Sequence, residues 1–206
     1  MPRRAKVEAE RTRARILASA LSLFAKKGFD RTTFTDIASR LKMTKGAVYW
    51  HFESKEALLV ALVDEMLSKF ARETESLMPK EELTFPAVAE MMVGNAVRII
   101  DDPKGKAFFM LMFTQVKWGE ASMQKTREEL LSRRHDSPYH TFMRAVENDM
   151  AAGRVVPGAD AKSVAASCVA VWDGLVRARI DGMLECDLAT TLRRAYAAVW
   201  ASIKAE

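Results

Sequence analysis

Residues 33–52 read TFTDIASRLKMTKGAVYWHF, and the spacing within that stretch decides the fold. Thr35 stands where its hydroxyl can cap a short helix, Asp36 sits favourably in the first turn, and Ile37, Ala38 and Leu41 share one inward face. That helix ends near Lys42. Thr44 caps a second helix of about two turns, and Met43 before the cap has the offset that lets it clasp Val48 as a hydrophobic staple. Two short helices at a tight turn, with a third behind them, let one helix enter a major groove while its neighbour crosses the backbone.

The helix behind them runs over 9–27, where Ile16, Leu17, Ala20, Leu21 and Phe24 form one apolar stripe. Gly28 stops it in a left-handed turn, and Phe29 falls where it packs back on Phe24. On the other side Ser54 caps a long helix to about residue 77, with Leu58, Leu59, Leu62, Val63 and Met66 recurring at three and four. At 1.5 Å per residue it spans about 35 Å, enough to leave a small head and enter a second domain before Pro79 breaks it. Five further helices follow over 85–101, 104–117, 121–152, 160–184 and 187–204, the third kinked or divided at Pro138. Strand signals are nearly absent, so the chain reads as all-α with about nine helices: an N-terminal three-helix domain over 9–60, a long joining helix, and a helical domain over 61–206.

Composition bounds the function. The chain has 206 residues, 49% hydrophobic and 29% charged, enough apolar material for a sizeable core. Its net charge of +5 is unevenly placed: residues 1–60 carry 13 Lys or Arg against six Asp or Glu, and the remainder 19 against 21. The basic excess therefore sits where a polyanion would be met. No apolar run reaches the length of a membrane span and the first 15 residues hold no apolar signal core, so a cytoplasmic protein with no membrane partner is expected. Two cysteines, Cys168 and Cys186, do not make a disulfide scaffold, and no CxxC or HExxH spacing offers a metal site. No cofactor motif and no nucleophile–base pair stands out, which leaves a helical enzyme as a remote alternative to a DNA-binding regulator.

The second helix of the pair is the reader. Thr44 and the free amides at its start can meet a phosphate, while Gly46 and Ala47 keep that end slim. Lys45, Tyr49 and His51 supply donors, and Trp50 offers a large surface for sugar or base. Phe52 reads as core; Tyr49 and His51 admit both phosphate contact and burial.

These residues resemble the TetR family of repressors. The resemblance rests on Arg11-Thr12-Arg13-Ala14-Arg15-Ile16-Leu17 with Ala20, Leu23, Phe24 and Gly28, on Thr33-Phe34-Thr35-Asp36-Ile37-Ala38, and on Thr44-Lys45-Gly46-Ala47-Val48-Tyr49-Trp50-His51-Phe52 followed by Ser54-Lys55-Glu56-Ala57-Leu58. It covers about residues 9–60 without a gap, and the Gly-Ala-Val-Tyr-Trp-His-Phe segment is most similar to the branch that controls multidrug efflux pumps. The resemblance implies that Thr35, Thr44, Tyr49, His51 and Lys55 grip phosphates while Lys45, Gly46 and Ala47 face base edges. It also implies that the C-terminal part is a ligand-binding and dimerisation domain, so that a small hydrophobic effector releases a dimer from a palindromic operator. A regulator without any effector is the alternative.

Candidate effector residues lie on helices of that second domain. Ala107 to Phe113 are seven apolar residues in a row, and a helix apolar on all sides must be covered on all sides. Some of them belong to a core and the others line a cavity; Phe109, Met112, Phe113 and Trp118, with Met91, Met92 and Trp172, are the candidates, since methionine adapts its shape to varied partners. Asn95, Gln115, His140 and Asp173 are polar residues on otherwise apolar helices and can orient a ligand. The last two helices carry Val164, Cys168, Trp172 and Leu175, and Leu192, Tyr196, Val199 and Trp200. The resemblance assigns this pair to the homodimer interface.

Overall fold

A computed structural model describes residues 2–77, 83–132 and 137–205. Ten α-helices occur among them: α1 Pro2–Lys27, α2 Phe34–Leu41, α3 Lys45–His51, α4 Lys55–Leu77, α5 Phe85–Asp101, α6 Pro103–Met110, α7 Gln124–Ser132, α8 Pro138–Ala151, α9 Ala161–Ile180 and α10 Leu188–Ile203. The architecture is all-α. The only extended pairing described is an isolated bridge, Val155 to Lys204.

Local chemistry explains most of the boundaries. α1 begins at Pro2 instead of residue 9, because nothing between Arg3 and Glu8 breaks a helix and proline suits a first turn. It ends at Gly28, whose φ of 91° is left-handed, and the Phe24 and Phe29 rings meet at 5.1 Å as the ending requires. α2 is capped by Thr33, two residues before the expected Thr35. Thr33 Oγ1 accepts from the Asp36 amide at 3.2 Å while Asp36 Oδ2 accepts from the Thr33 amide at 2.9 Å. That reciprocal box satisfies two free amides at once, which a cap at Thr35 would not do. Thr44 and Ser54 cap α3 and α4 as expected, accepting from Ala47 N at 3.1 Å and Ala57 N at 3.0 Å.

Two expectations give way further on. The helix expected over 121–152 is divided into α7 and α8, the latter starting at Pro138, which raises the count from nine to ten. The helix expected over 104–117 changes register at Leu111, where α6 passes into a π-helical turn, Leu111–Gln115. Of the apolar run 107–113 only Phe108 and Leu111 are buried, so that helix is not covered on every side. Pro79, read as the breaker of the long helix, lies outside the described residues; α4 is described to Leu77.

The helices group into two compact units, and the division passes through α4. The first holds residues 1–66 and 107–133, the second 67–106 and 134–206. In the first, Ile16, Leu17, Ala20 and Phe24 of α1 are buried with Phe34, Ile37 and Ala38 of α2, Val48 of α3, and Leu58 and Leu59 of α4. Each of these side chains larger than alanine contributes about 1.5–3 kcal/mol on leaving water. In the second, Phe85 and Met92 of α5, Phe142 and Val146 of α8, Cys168 and Trp172 of α9, and Leu192 and Tyr196 of α10 form the core. Buried Asp149 ties that unit together: Oδ2 accepts from the Phe85 amide at 2.7 Å, and Oδ1 lies 2.7 Å from Arg154 Nη2.

Candidate nucleic-acid interface

The turn between α2 and α3 sets the reading helix. Lys42 closes α2 in the left-handed region at φ 55°, its amide donating back to Ala38 and Ser39 carbonyls. Thr44 then starts α3, and Val48 is the one side chain of α3 that is buried. A helix pinned by a single buried residue presents the rest of its surface outward. Trp50 is 73% exposed and Tyr49 48%, at odds with what two large aromatics do in a core.

Each side chain on that surface has a defined support. Tyr49 sets its ring edge-on to Phe34 at 4.8 Å, and the Lys45 ammonium lies 5.4 Å from the Tyr49 ring centroid. Gly46 is exposed, and an added Cβ there would meet only Thr44 Oγ1 at 3.9 Å. Ala47 is half-buried, and Thr35 is exposed on α2. His51 is half-buried against Trp50, ring centroids 4.6 Å apart. Partial burial, with Arg13 nearby, pushes the His51 imidazole below its ordinary value of 6.5, so at neutral pH the ring is uncharged and offers an N–H, not a cation. Phe52 is buried, as expected.

Lys55 is differently placed from the others. Its ammonium donates to the Phe29 carbonyl at 2.9 Å and the Asp30 carbonyl at 3.0 Å, which leaves one N–H for a phosphate. Arg13 was not legible as a site residue. Its guanidinium sits 5.2 Å over the Phe52 ring and adds a cation beside His51. The available signal was the density of arginines along 3–15, which does not say which of them turns towards α3.

The effector candidates fall in both units. In the second, Met92 and Trp172 are buried, and the Trp172 indole donates to the Met92 carbonyl at 2.9 Å; both belong to the core. Met91, Asn95 and Asp173 are half-buried, and so is His140, with Nδ1 3.0 Å from Ser137 Oγ. In the first, the Phe109 and Phe113 rings meet at 5.5 Å, both half-buried together with Met112, whose carbonyl accepts from the Trp118 indole at 2.9 Å. Gln115 lies elsewhere, against the end of α1, with Oε1 3.0 Å from where a Cβ on Gly28 would stand.

The dimer candidates divide by burial. Cys168, Trp172, Leu192 and Tyr196 are at most 4% exposed within their own chain, which leaves a second copy little of them to cover. The most apolar stripes of α9 and α10 face inward because a single unit already needs them for its core. Val164, Leu175, Val199 and Trp200 are half-buried, Trp200 stacked on Phe85 at 5.4 Å. Exposed on α9 are Ala166, Ala170 and Gly174 beside Lys162, Arg177 and Arg179, and on α10 Ala197, Ala198 and Ala201 beside Arg193 and Arg194.

Comparison with known proteins agrees with this geometry. Residues 16–62, from α1 through the turn into α4, match the family model described as bacterial regulatory proteins, tetR family. The HTH-type transcriptional regulator TtgR of Pseudomonas putida is 31% identical over 180 residues, covering 86% of this chain and 84% of TtgR. The chain belongs to the TetR family. Within the TetR family, the HTH-type transcriptional regulator AcrR of Shigella flexneri is 26% identical over 155 residues, 73% of this chain and 71% of AcrR. SmeT of Stenotrophomonas maltophilia, solved as a complex with triclosan, superposes with a TM-score of 0.77 at 25% identity over 95% of this chain and 92% of SmeT. This TetR-family chain is a helix-turn-helix DNA-binding transcription regulator. Among the described residues no helix is long and apolar enough to cross a membrane.

Proposed function

We propose that the chain is a repressor of efflux-pump type that binds a near-palindromic operator as a homodimer, and that a small hydrophobic molecule held in the helical C-terminal part releases it. The observation that carries the DNA half is the outward presentation of Tyr49 and Trp50 on a short, capped helix flanked by Lys45 and Arg13. Thr35, Thr44, Tyr49, His51 and the remaining N–H of Lys55 contact phosphates. Lys45, Gly46 and Ala47 face base edges, where two small residues read little directly, so the shape of the duplex decides much of the preference.

The effector half rests on relatives and on half-exposed apolar side chains. SmeT is the repressor of the multidrug efflux pump SmeDEF, and it has been solved with triclosan. In this chain Phe109, Met112 and Phe113, and separately Met91, Asn95, His140 and Asp173, are accessible enough to meet a ligand. The dimer uses the small-residue faces of α9 and α10, where two backbones can approach closely. Effector binding changes the separation of the two reading helices so that they no longer fit successive major grooves.

Selection of bound fragments from the genome that encodes the protein tests this reading. It should return one near-palindromic site beside a transporter gene, and a panel of hydrophobic compounds including triclosan should raise the melting temperature and release the protein from that site. Recovery of a site that no compound displaces would instead favour a regulator governed by its abundance.

A further inference from the structure

The turn that ends α1 is gripped by residues from three parts of the first unit. Its own backbone holds it first: Gly28 donates to the Phe24 carbonyl at 2.8 Å, and the buried Thr32 hydroxyl donates to the Gly28 carbonyl at 2.8 Å. Lys55, opening α4, donates to the Phe29 and Asp30 carbonyls and lies 4.9 Å over the Phe29 ring. The third grip comes from about 85 residues further along the chain. Lys117 Nζ is 2.9 Å from Asp30 Oδ2, and Gln115 Oε1 packs against Gly28 so closely that a Cβ there would stand 3.0 Å from it.

Gln115 ends the π turn, whose ladder is closed by Val116 N donating to the Leu111 carbonyl at 3.1 Å, five residues back. Such a turn fits one extra residue into the helix, so everything after it is carried round the axis relative to an unbroken α-helix. The helix stops there, Val116 being extended (φ −94°, ψ 120°), with Gln115 and Lys117 set against the end of α1. The turn is fastened by its own side chains: the Thr114 hydroxyl donates to the Met110 carbonyl at 2.7 Å and the Trp118 indole to the Met112 carbonyl at 2.9 Å. π turns are rare and recur at functional sites, where a helix must be able to change register.

We infer that Gln115 and Lys117 are positioning residues for DNA binding, which tie the turn Gly28–Asp30, and through Lys55 the start of α4, to the π turn. α3 ends at His51 and α4 opens at Lys55, four residues on, so the attitude of α3 then depends through Lys55 on the state of 111–117. The inference rests on α3 being the DNA-contacting helix; neither Gln115 nor Lys117 touches DNA. The Lys117–Asp30 pair is exposed on both sides and weak by itself, so the constraint comes from three grips converging on three residues.

The test compares the full chain with Lys117→Ala, with Gln115→Ala combined with Lys117→Ala, and with the exchange Asp30→Lys plus Lys117→Asp. Amide hydrogen exchange over 28–33 and Kd for the genomically selected duplex at fixed salt are read for each. The double variant should exchange several-fold faster over 28–33 and bind about three- to fivefold more weakly, the single less, and the exchanged pair should restore both readouts. Unchanged amide exchange in the double variant overturns the tether. Faster exchange with an unaltered Kd overturns the positioning role alone. A parent protein that binds no duplex instead removes the DNA-contacting reading, a failure distinguishable from the other two.

Discussion

A tryptophan left 73% in water at the end of a two-turn helix contributes little to the fold, so its removal separates binding from stability. Trp50→Ala should leave the melting temperature within about a degree and weaken operator binding about tenfold, or about 1.4 kcal/mol. Parallel thermal melts and duplex titrations check both halves. The Thr33–Asp36 cap gives a pH signature instead. The hydrogen bond from Lys27, followed by those from Thr33, lowers the Asp36 carboxyl from its ordinary 3.8 to about 2. A lowered carboxylate value means the charged cap stabilises fully above about pH 4 and is lost as pH falls towards 2. The difference in melting temperature between the parent chain and Asp36→Asn should therefore be constant from pH 7 to about 4.5 and shrink below it. A difference undiminished at pH 2.5 would mean that the carboxylate charge is not what holds the cap. Residue-level chemistry was partly legible: Thr44 and Ser54 cap as their sequence context demands, whereas Thr33 and Thr35 are both plausible caps until Asp36 chooses by closing the box with Thr33.

At the scale of the helices, one left-handed residue precedes the reading pair and another lies in the turn within it, and the two respond oppositely to substitution. Gly28 at φ 91° requires glycine, and Gly28→Ala should cost about 1–2 kcal/mol, since an L side chain is strained there. Lys42 occupies the same region with a side chain, so Lys42→Gly should relieve that strain and gain up to about 1 kcal/mol after the added freedom of the unfolded chain is subtracted. Denaturant melts of the two variants check the opposite signs. Helix existence was legible almost throughout because a 3.6-residue apolar period survives ordinary substitution. The π turn was not: Leu111–Gln115 carries no proline or glycine to mark a change of register, and it is held by Trp118 and Thr114 bonding to carbonyls six and four residues back. The outward faces of α9 and α10 were illegible for a related reason. Apolar periodicity finds the face that is buried, and in α9 that face, Ala165, Cys168, Trp172 and Val176, is buried within its own chain. A surface of small residues has no comparable signal.

For the whole molecule, a dimer on an operator doubles every phosphate contact, so affinity depends on two heads being presented together. Ala170, exposed on α9, is the position where a large charged side chain should separate the copies. Ala170→Arg should sediment as a monomer with its helical content intact and bind the operator at least about a hundredfold more weakly. A dimer that survives this change would place the interface elsewhere. The basic excess of residues 1–60 was readable from composition, but which cations meet the duplex was not, because Lys27 is paired with Asp36 and Lys55 is bonded to carbonyls.

The most direct test of the account is the salt dependence of duplex binding by the intact protein. If the Thr44–Trp50 surface docks with its flanking cations on phosphates, affinity for the selected operator should fall by about a thousandfold between 50 and 200 mM salt, log Kd following log salt with a slope of about five. Binding that ignores salt, or no duplex shift at the lowest ionic strength, would contradict it.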